Sequence, residues 1–385
     1  MRLTQEHTEL RRSVENFVKD KLNPFADQWE SHPPFPAKEV FKQLGDLGML
    51  GINKPEAYGG LGLDYSYEMV AAEALGSCNS AGVALAIGVQ TDMATPALAK
   101  FGSHELKEEF LAPAISGDAI AAIAVSEPGA GSDVANLKTW AKSDGDDYII
   151  SGQKMWITNA TQADYFCVLA NTSEGKPHFN KSLIIVPKNT KGLEVGATLN
   201  KLGMRSSDTA PVFFDEVRVP KRNRIGAEDQ GFMLQMMQFQ EERLWGAANA
   251  ICGMELSIKE TIEYCRERQT FGQPLIDNQS IHFRLAELKT EVECLKGLLY
   301  TTCEAYIHGD NVMQQAAMAK LKAGRLAREV TDSCLQFFGG TGYMLDTLIN
   351  RRYRDSRLIS IGGGTDEMML GIIAKTMDIL PKRKK

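Results

Sequence analysis

Five short segments of this 385-residue chain combine residue types and spacings suited to chemistry. Ala124-Val125-Ser126-Glu127-Pro128-Gly129-Ala130-Gly131-Ser132-Asp133 follows an apolar run with strand character. Its glycines let a ligand approach the backbone, and its N–H groups and hydroxyls suit a polar ring edge or a phosphate. A surface turn accounts for such a segment equally well. In Lys154-Met155-Trp156-Ile157-Thr158-Asn159, strand alternation puts Trp156 and Thr158 on one face. A flat indole beside a hydroxyl donor suits an aromatic cofactor; a core tryptophan is the plain alternative. Arg266-Glu267-Arg268-Gln269-Thr270-Phe271-Gly272 begins where a long helix ends. Arg268 there can hold a diphosphate in bidentate fashion or simply complement a helix C-terminus. Gln336-Phe337-Phe338-Gly339-Gly340-Thr341-Gly342-Tyr343 and Ile361-Gly362-Gly363-Gly364-Thr365-Asp366-Glu367 are glycine-rich turns between helices. Three consecutive glycines cost roughly 1 kcal/mol each in a helix. They are expected to form a loop, whose purpose is plain only if something lies against it.

These segments need elements to hold them. Leu10, Val14, Phe17, Val18 and Leu22 recur at helical spacing until Asn23-Pro24 stops the run. Further helices are expected over 37–47, 67–75, 81–101 and 105–115, with a glycine-rich loop at Tyr58 to Gly62. Near Ile120 the texture changes. Short apolar runs at 120–125, 148–150, 165–170, 182–186 and 212–214 alternate with turn residues, and Asp144-Gly145-Asp146 reads as a hairpin turn. Twelve of the 14 prolines lie at or before Pro220, and only Pro274 and Pro381 follow. Proline costs about 3 kcal/mol inside a helix, so its absence from 221–273 and 275–380 permits very long helices. Leu285, Leu288, Val292, Leu295, Leu298 and Leu299 form a strong helical stripe, the mark of helix-on-helix packing. The expected class is α+β: an N-terminal α-helical domain over 1–118, a middle β domain over 119–225 and a C-terminal helical domain over 226–385.

Composition excludes several classes. Apolar residues make up 43% and charged residues 24%, which rules out a disordered chain, a collagen-like repeat and a disulfide-stapled miniprotein. A net charge of −6 argues against a nucleic-acid binder with a basic surface. The seven cysteines form an odd set without a C-x-x-C pair, and the six histidines lack metal-ligand spacing. A reduced, intracellular protein without a metal site is therefore expected. No uncharged apolar stretch reaches the roughly 18 residues needed to span a bilayer. The first residues show no signal or transit pattern, so the expected location is cytoplasmic, with a mature mitochondrial form as the alternative.

Taken together, these segments resemble the acyl-CoA dehydrogenase family over essentially the whole chain. Ala124 to Asp133 looks like the family's first signature, with Asn136 departing at a last position usually held by Gly, Ser or Ala. Gln336 through Gly340, Gly342, Tyr343, Asp346 and Arg351 to Asp355 matches the second signature throughout. The resemblance implies an N-terminal helical domain, a middle β domain, a C-terminal four-helix bundle and a homotetramer. It also implies FAD between the domains reaching a neighbouring subunit, an acyl-CoA substrate, and electron-transferring flavoprotein as electron acceptor. By the same resemblance Val125, Ser126, Trp156 and Thr158 contact the isoalloxazine ring. Arg268, Phe271 and Gln279, with Gln336, Gly339 and Gly340, hold the ADP half of an FAD, and Thr365 to Glu367 close over the cofactor. Ser132 and Arg243 face the CoA portion of the substrate, and Gly364 also lies on the substrate side.

The family's chemistry removes an α-proton with a carboxylate while a β-hydride passes to flavin N5. The thioester carbonyl accepts bonds from a ribityl hydroxyl and a backbone N–H, and the base needs a pKa raised by desolvation. In many members the base is the Glu of a Tyr-Glu-Gly-Thr segment. Here that position is Gly363, which keeps the backbone N–H and loses the carboxylate. The isovaleryl-CoA and long-chain enzymes carry the base on the helix opening the C-terminal domain, just before an Arg. Gln240-Glu241-Glu242-Arg243 occupies that place, which makes Glu242 the candidate base. Glu241 lies about 100° away around a helix. The plain alternative for Glu242 is a solvated surface carboxylate. The Ile-Gly-Gly-Gly-Thr form is similar to the glycine-rich loops of isovaleryl-CoA and citronellyl-CoA dehydrogenases, which implies a branched-chain or medium- to long-chain acyl-CoA. Two other readings stay open: a flavin oxidase or monooxygenase on the same scaffold, and a non-catalytic flavin or acyl-CoA binding protein.

Overall fold

The computed structural model describes residues 1–381. The N-terminal region is helical: α1 (Gln5–Phe17), α2 (Ala26–Ser31), α3 (Ala37–Asp46), α4 (Tyr65–Leu75), α5 (Ala81–Gly88), α6 (Pro96–Phe101), α7 (His104–Leu106) and α8 (Ala112–Ile115). α1 starts at a capping box, in which the Thr4 hydroxyl accepts from the His7 N–H and the His7 ring accepts from the Thr4 N–H. Val14, Phe17, Val18 and Leu22 then pack with Trp29, Phe35 and Phe41 in one core. The single helix expected over 81–101 is broken. A π-helical turn, Val89–Ala94, follows α5, and α6 restarts at Pro96, whose missing N–H suits a first helical position.

The middle region is an eight-stranded sheet. Its strands are β1 (Ala121–Ala124), β2 (Trp140–Asp144), β3 (Asp147–Thr158), β4 (Tyr165–Asn171), β5 (Lys181–Pro187), β6 (Leu193–Val195), β7 (Thr209–Pro220) and β8 (Arg224–Ile225). The order is β6-β7-β3-β2-β4-β5-β8, with β1 parallel to β4. Gly145, at φ +58°, makes the two-residue turn between β2 and β3. Alternate residues of β4 serve two cores. Phe166 and Val168 pack with Tyr148, Val212 and Phe214, whereas Tyr165, Cys167 and Leu169 join Leu98, Phe110 and Leu234 of the flanking helices. A strand covered on both faces reads as the continuous apolar run the sequence displays.

The C-terminal region holds α9 (Gly231–Glu267), α10 (Gln279–Ile307), α11 (Met313–Phe338), α12 (Leu348–Ser356) and α13 (Asp366–Thr376). α9, α10 and α11 pack on one another, and α13 lies along α11. The leucine stripe of α10 is buried against Leu244, Ile251, Met254 and Leu326. Pro274 falls in the turn between α9 and α10. α4 crosses from the N-terminal region to pack on α9 and α10, so Tyr65, Met69 and Ala72 share this core. Gly76 permits that approach: a Cβ there would lie 2.2 Å from the Asn249 carbonyl. Among the described residues no helix is long and apolar enough to cross a membrane.

Candidate active site

α9 points its two adjacent glutamates in different directions. Glu241 is buried and accepts from Lys100 Nζ and Tyr306 Oη, and its backbone carbonyl accepts from Tyr65 Oη at 3.0 Å. Glu242 faces the glycine turn that precedes α13. A Cβ built on Gly363 would lie 3.1 Å from Glu242 Oε1. Gly363 and Gly364 have φ of +65° and +93°, a left-handed turn that favours glycine. A side chain at 363 would be strained and would press on the Glu242 carboxylate. The glycine and the glutamate are therefore complementary.

Glu242 makes no hydrogen bond or ion pair among the described residues. Burial pushes its carboxyl up to about 7, against the opposing pull of Arg243 and Lys320. A carboxyl poised near neutrality, bare of partners, is suited to accept a proton. Arg243 sits beside it, 6% exposed, with Nε unpartnered. It is therefore inside the protein rather than on the outer surface. Lys320 Nζ donates to the Gly364 carbonyl. Thr365 caps α13 by accepting from the Met368 N–H at 3.3 Å. Glu367, one residue into α13, is exposed, and Asp366 is buried, 3.7 Å from both Arg325 and Arg328.

The second group of predicted residues lies where β1 leaves the sheet beside β3. Ser126 O accepts from the Met155 N–H at 2.9 Å, which ties the glycine-rich loop to β3. A buried ion pair reinforces the tie. Lys154 Nζ donates to Glu127 Oε1 (2.9 Å), the Val125 carbonyl (3.0 Å) and the Leu169 carbonyl (2.8 Å). Glu127 in turn accepts from the N–H groups of Lys138 and Thr139 and the Thr139 hydroxyl. Burial draws the Lys154 ammonium down to about 8 despite Glu127, whose own carboxyl stays below the usual range because those donors outweigh its burial. Strict alternation in β3 does not hold. The register slips between Lys154 and Ile157, and Trp156 adopts φ +60°, which marks a β-bulge. Ile157 turns into the core, leaving Trp156, 55% exposed, and Thr158 as the accessible pair. The hydroxyls of Ser126 and Thr158 have no partner among the described residues, and Cβ positions at Gly129 and Gly131 meet nothing within 4 Å. Ser132, at the tip of this loop, is exposed. An open aromatic face, free hydroxyls and bare backbone fit a planar ligand with a polar edge such as a flavin.

The remaining predicted residues are not brought to this place. Arg268 stands 26 residues beyond Glu242, about 39 Å along the helix axis at 1.5 Å per residue. Phe271, fully exposed, and Gln279 follow it. Tyr264 stacks on Phe338 at 4.2 Å, which brings that end of α9 to Gln336, Gly339 and Gly340. Gln336 lines an open cleft of about 440 Å³ between α10 and α11 with Phe283, Arg284 and Ser333. Cβ positions at Gly339 and Gly340 are likewise unobstructed. The predicted residues of one chain therefore fall into two separated groups.

Sequence reasoning missed Lys320, Lys154 and Glu127. Lys320 had a signal: it interrupts the buried stripe Ala316, Ala323, Ala327 of α11 at helical spacing. It also missed that Arg351 and Asp355 of the second signature are structural. Arg351 pairs with Asp27 and donates to the Asn79 carbonyl, and Asp355 accepts from the Met204 N–H, so the pair joins all three regions.

Models of the acyl-CoA dehydrogenase N-terminal, middle and C-terminal domains match residues 4–118, 122–217 and 229–377. The chain therefore belongs to the acyl-CoA dehydrogenase family, whose members are FAD-dependent oxidoreductases. It is 36% identical over 378 residues to the mitochondrial long-chain specific acyl-CoA dehydrogenase of Sus scrofa, covering 97% of this chain and 86% of that protein. It is 35% identical over 373 residues to the mitochondrial short-chain specific acyl-CoA dehydrogenase of Bos taurus, covering 97% and 90%. An acyl-CoA dehydrogenase from Geobacillus kaustophilus superposes with a TM-score of 0.94 at 36% identity, over 98% of this chain and 99% of that one.

Proposed function

We propose that this enzyme oxidises a branched-chain or medium- to long-chain acyl-CoA to the trans-2-enoyl-CoA, with Glu242 as the base that takes the α-proton. The observation that carries the reading is the approach of Glu242 Oε1 to within 3.1 Å of where a Gly363 side chain would begin. The carboxylate missing from one element is supplied by another at the same point. Its elevation to about 7 supports the role, because a carboxylate at the usual 4.5 is a weak base for an α-proton. Bound FAD supplies the hydride acceptor. Val125, Ser126, Trp156 and Thr158 hold its ring, and the Gly363 N–H, held in a left-handed turn, donates to the thioester carbonyl. Arg243 and Ser132 serve the CoA side, with Gly364 beside the thioester.

Near-equal identity to long-chain and short-chain relatives does not select a chain length. Room along α9 does favour a substituent beyond the reacting carbons. Gly246 lies one turn from Glu242, and a Cβ there meets nothing within 4 Å. The separation of about 39 Å between Glu242 and Arg268 supports a second copy whose Arg268, Phe271, Gln279, Gln336, Gly339 and Gly340 grip the ADP half of this chain's FAD, and the family resemblance makes that assembly a homotetramer. Electron-transferring flavoprotein is the proposed acceptor. We divide the chain at 118/119 and 225/226, after α8 and after β8, and place it in a reducing compartment, the cytoplasm with a mature mitochondrial form as the alternative, for which seven free cysteines are the support.

The test is anaerobic addition of octanoyl-, isovaleryl- and citronellyl-CoA to the FAD-loaded protein while the flavin absorbance is followed. Bleaching with at least one thioester is expected, and slow reoxidation by air with fast reoxidation by electron-transferring flavoprotein. Fast reoxidation by air alone would make it an oxidase. A flavin that none of the three bleaches would overturn the branched-chain and medium-chain proposal.

A further inference from the structure

Lys320 stands in the middle of α11, 3% exposed, on the stripe that faces the core. Its neighbours along that stripe are Ala316, Ala323, Gly324 and Ala327, where an apolar side chain would satisfy packing. A buried ammonium is costly unless it is paired and hydrogen-bonded. Its bond is to the Gly364 carbonyl, the peptide that links the left-handed turn to the cap of α13. The charges around Glu242 come from three helices. Arg243 lies beside it on α9, the charge of Lys320 on α11 acts on it, and Asp366 and Glu367 at the start of α13 act on Lys320. Asp366 is itself engaged by Arg325 and Arg328. Lys320 therefore bonds to Gly364, the neighbour in the turn of the Gly363 that Glu242 approaches, and its charge acts on that carboxylate.

We propose that Lys320 is a positioning residue for proton abstraction: its ammonium pins the Gly363–Gly364 turn through the Gly364 carbonyl and holds a positive charge beside Glu242. The proposal rests on the reading of Glu242 as the base. Burial draws Lys320 down to about 8, with Asp366 and Glu242 pulling it back up. Glu242 is raised to about 7. The working form, carboxylate with ammonium, therefore fills a narrow window between the two. Below it the base is protonated, and above it the pin is lost.

The experiment measures flavin reduction by substrate across pH for wild type, Glu242→Gln, Lys320→Met and Lys320→Arg. In parallel, the infrared carboxyl stretch of Glu242, assigned by its loss in Glu242→Gln, is titrated in FAD-loaded protein without substrate. Lys320→Met should move the acid limb and the infrared midpoint up by about one pH unit, since a nearby opposite charge that holds the carboxyl down is removed, and should erase the alkaline limb. Lys320→Arg keeps its charge to high pH. It should leave the acid limb in place and lose only the alkaline one, which decides the matter even if Lys320→Met does not fold. If both variants keep both limbs and the infrared midpoint, the proposal is overturned. A lower melting temperature with unmoved limbs overturns it too, because that is all a structural lysine would do. Should Glu242→Gln reduce flavin at the wild-type rate, the base assignment fails instead, and the two failures are distinct.

Discussion

Replacing Glu242 with glutamine should greatly slow proton abstraction and yet stabilise the protein, and the gain should depend on pH. The Glu242 carboxyl rises from the usual 4.5 to about 7, chiefly through burial, with Arg243 and Lys320 opposing. That is about 2.5 pH units, and at about 1.4 kcal/mol per unit the ionised carboxylate costs the fold roughly 3 kcal/mol. The sign follows from proton counting. Between 4.5 and about 7 the folded state holds a proton that the unfolded state has released, so stability falls as pH rises through that window and is flat for this group above it. Glutamine keeps the shape without the charge. The variant and wild type should unfold together near the lower end of the window. The variant should be more stable by about 1–3 kcal/mol at roughly one pH unit above the upper end, the smaller value allowing for solvent access to a partly buried group. Urea unfolding midpoints of the two proteins at both pH values measure this directly. Flavin reduction should fall by about 10²–10⁴-fold, the usual worth of a general base. If the stability difference is the same at both pH values, or wild type is the more stable at the higher one, Glu242 is not desolvated and the argument for its basicity collapses.

Lys154→Met leaves Glu127 charged and buried and the Val125 and Leu169 carbonyls without their donor. It should cost about 3–5 kcal/mol, and Glu127→Gln with Lys154→Met should cost less than the two single changes added together; strict additivity in thermal unfolding would refute the pairing. Gly363→Ala puts a side chain at φ +65° and 3.1 Å from Glu242 Oε1. A loss of about 1–3 kcal/mol, with slower flavin reduction in stopped flow, is expected, and an unchanged rate would show that the turn does not meet the base. Thr365→Ala removes the cap of α13 and should cost about 1 kcal/mol, whereas Thr365→Ser should restore it in the same unfolding assay.

Much of the fold is legible in the chain because its signals are local. The apolar period changes near Ile120, and the prolines thin out after Pro220, so helical, β and helical regions follow in order. β4 and β5 are visible as apolar runs. β6 and β8, three and two residues long, carry too little pattern to see. The break after Gly88 is hidden because an apolar run reads the same through a π-helical turn. The bulge at Trp156 is hidden because alternation assumes an even ladder.

For the site, the residue types alone determined that a glycine turn lacks a carboxylate and that two glutamates precede Arg243, one residue apart. Helical geometry adds that the two must diverge, since neighbours are about 100° apart. Which one faces Gly363 depends on how α9 is rotated against α13, and that is set by packing with α4, α10 and α11. Only the tertiary structure decided that Glu241 is engaged by Lys100 and Tyr306 while Glu242 stays unpartnered. It also decided that Lys320, 78 positions further along the chain from Glu242, bonds to the turn. Desolvation and close approach are properties of space rather than of chain order. A sequence can therefore name the groups able to react, but the fold selects which of them is stripped of water and aimed.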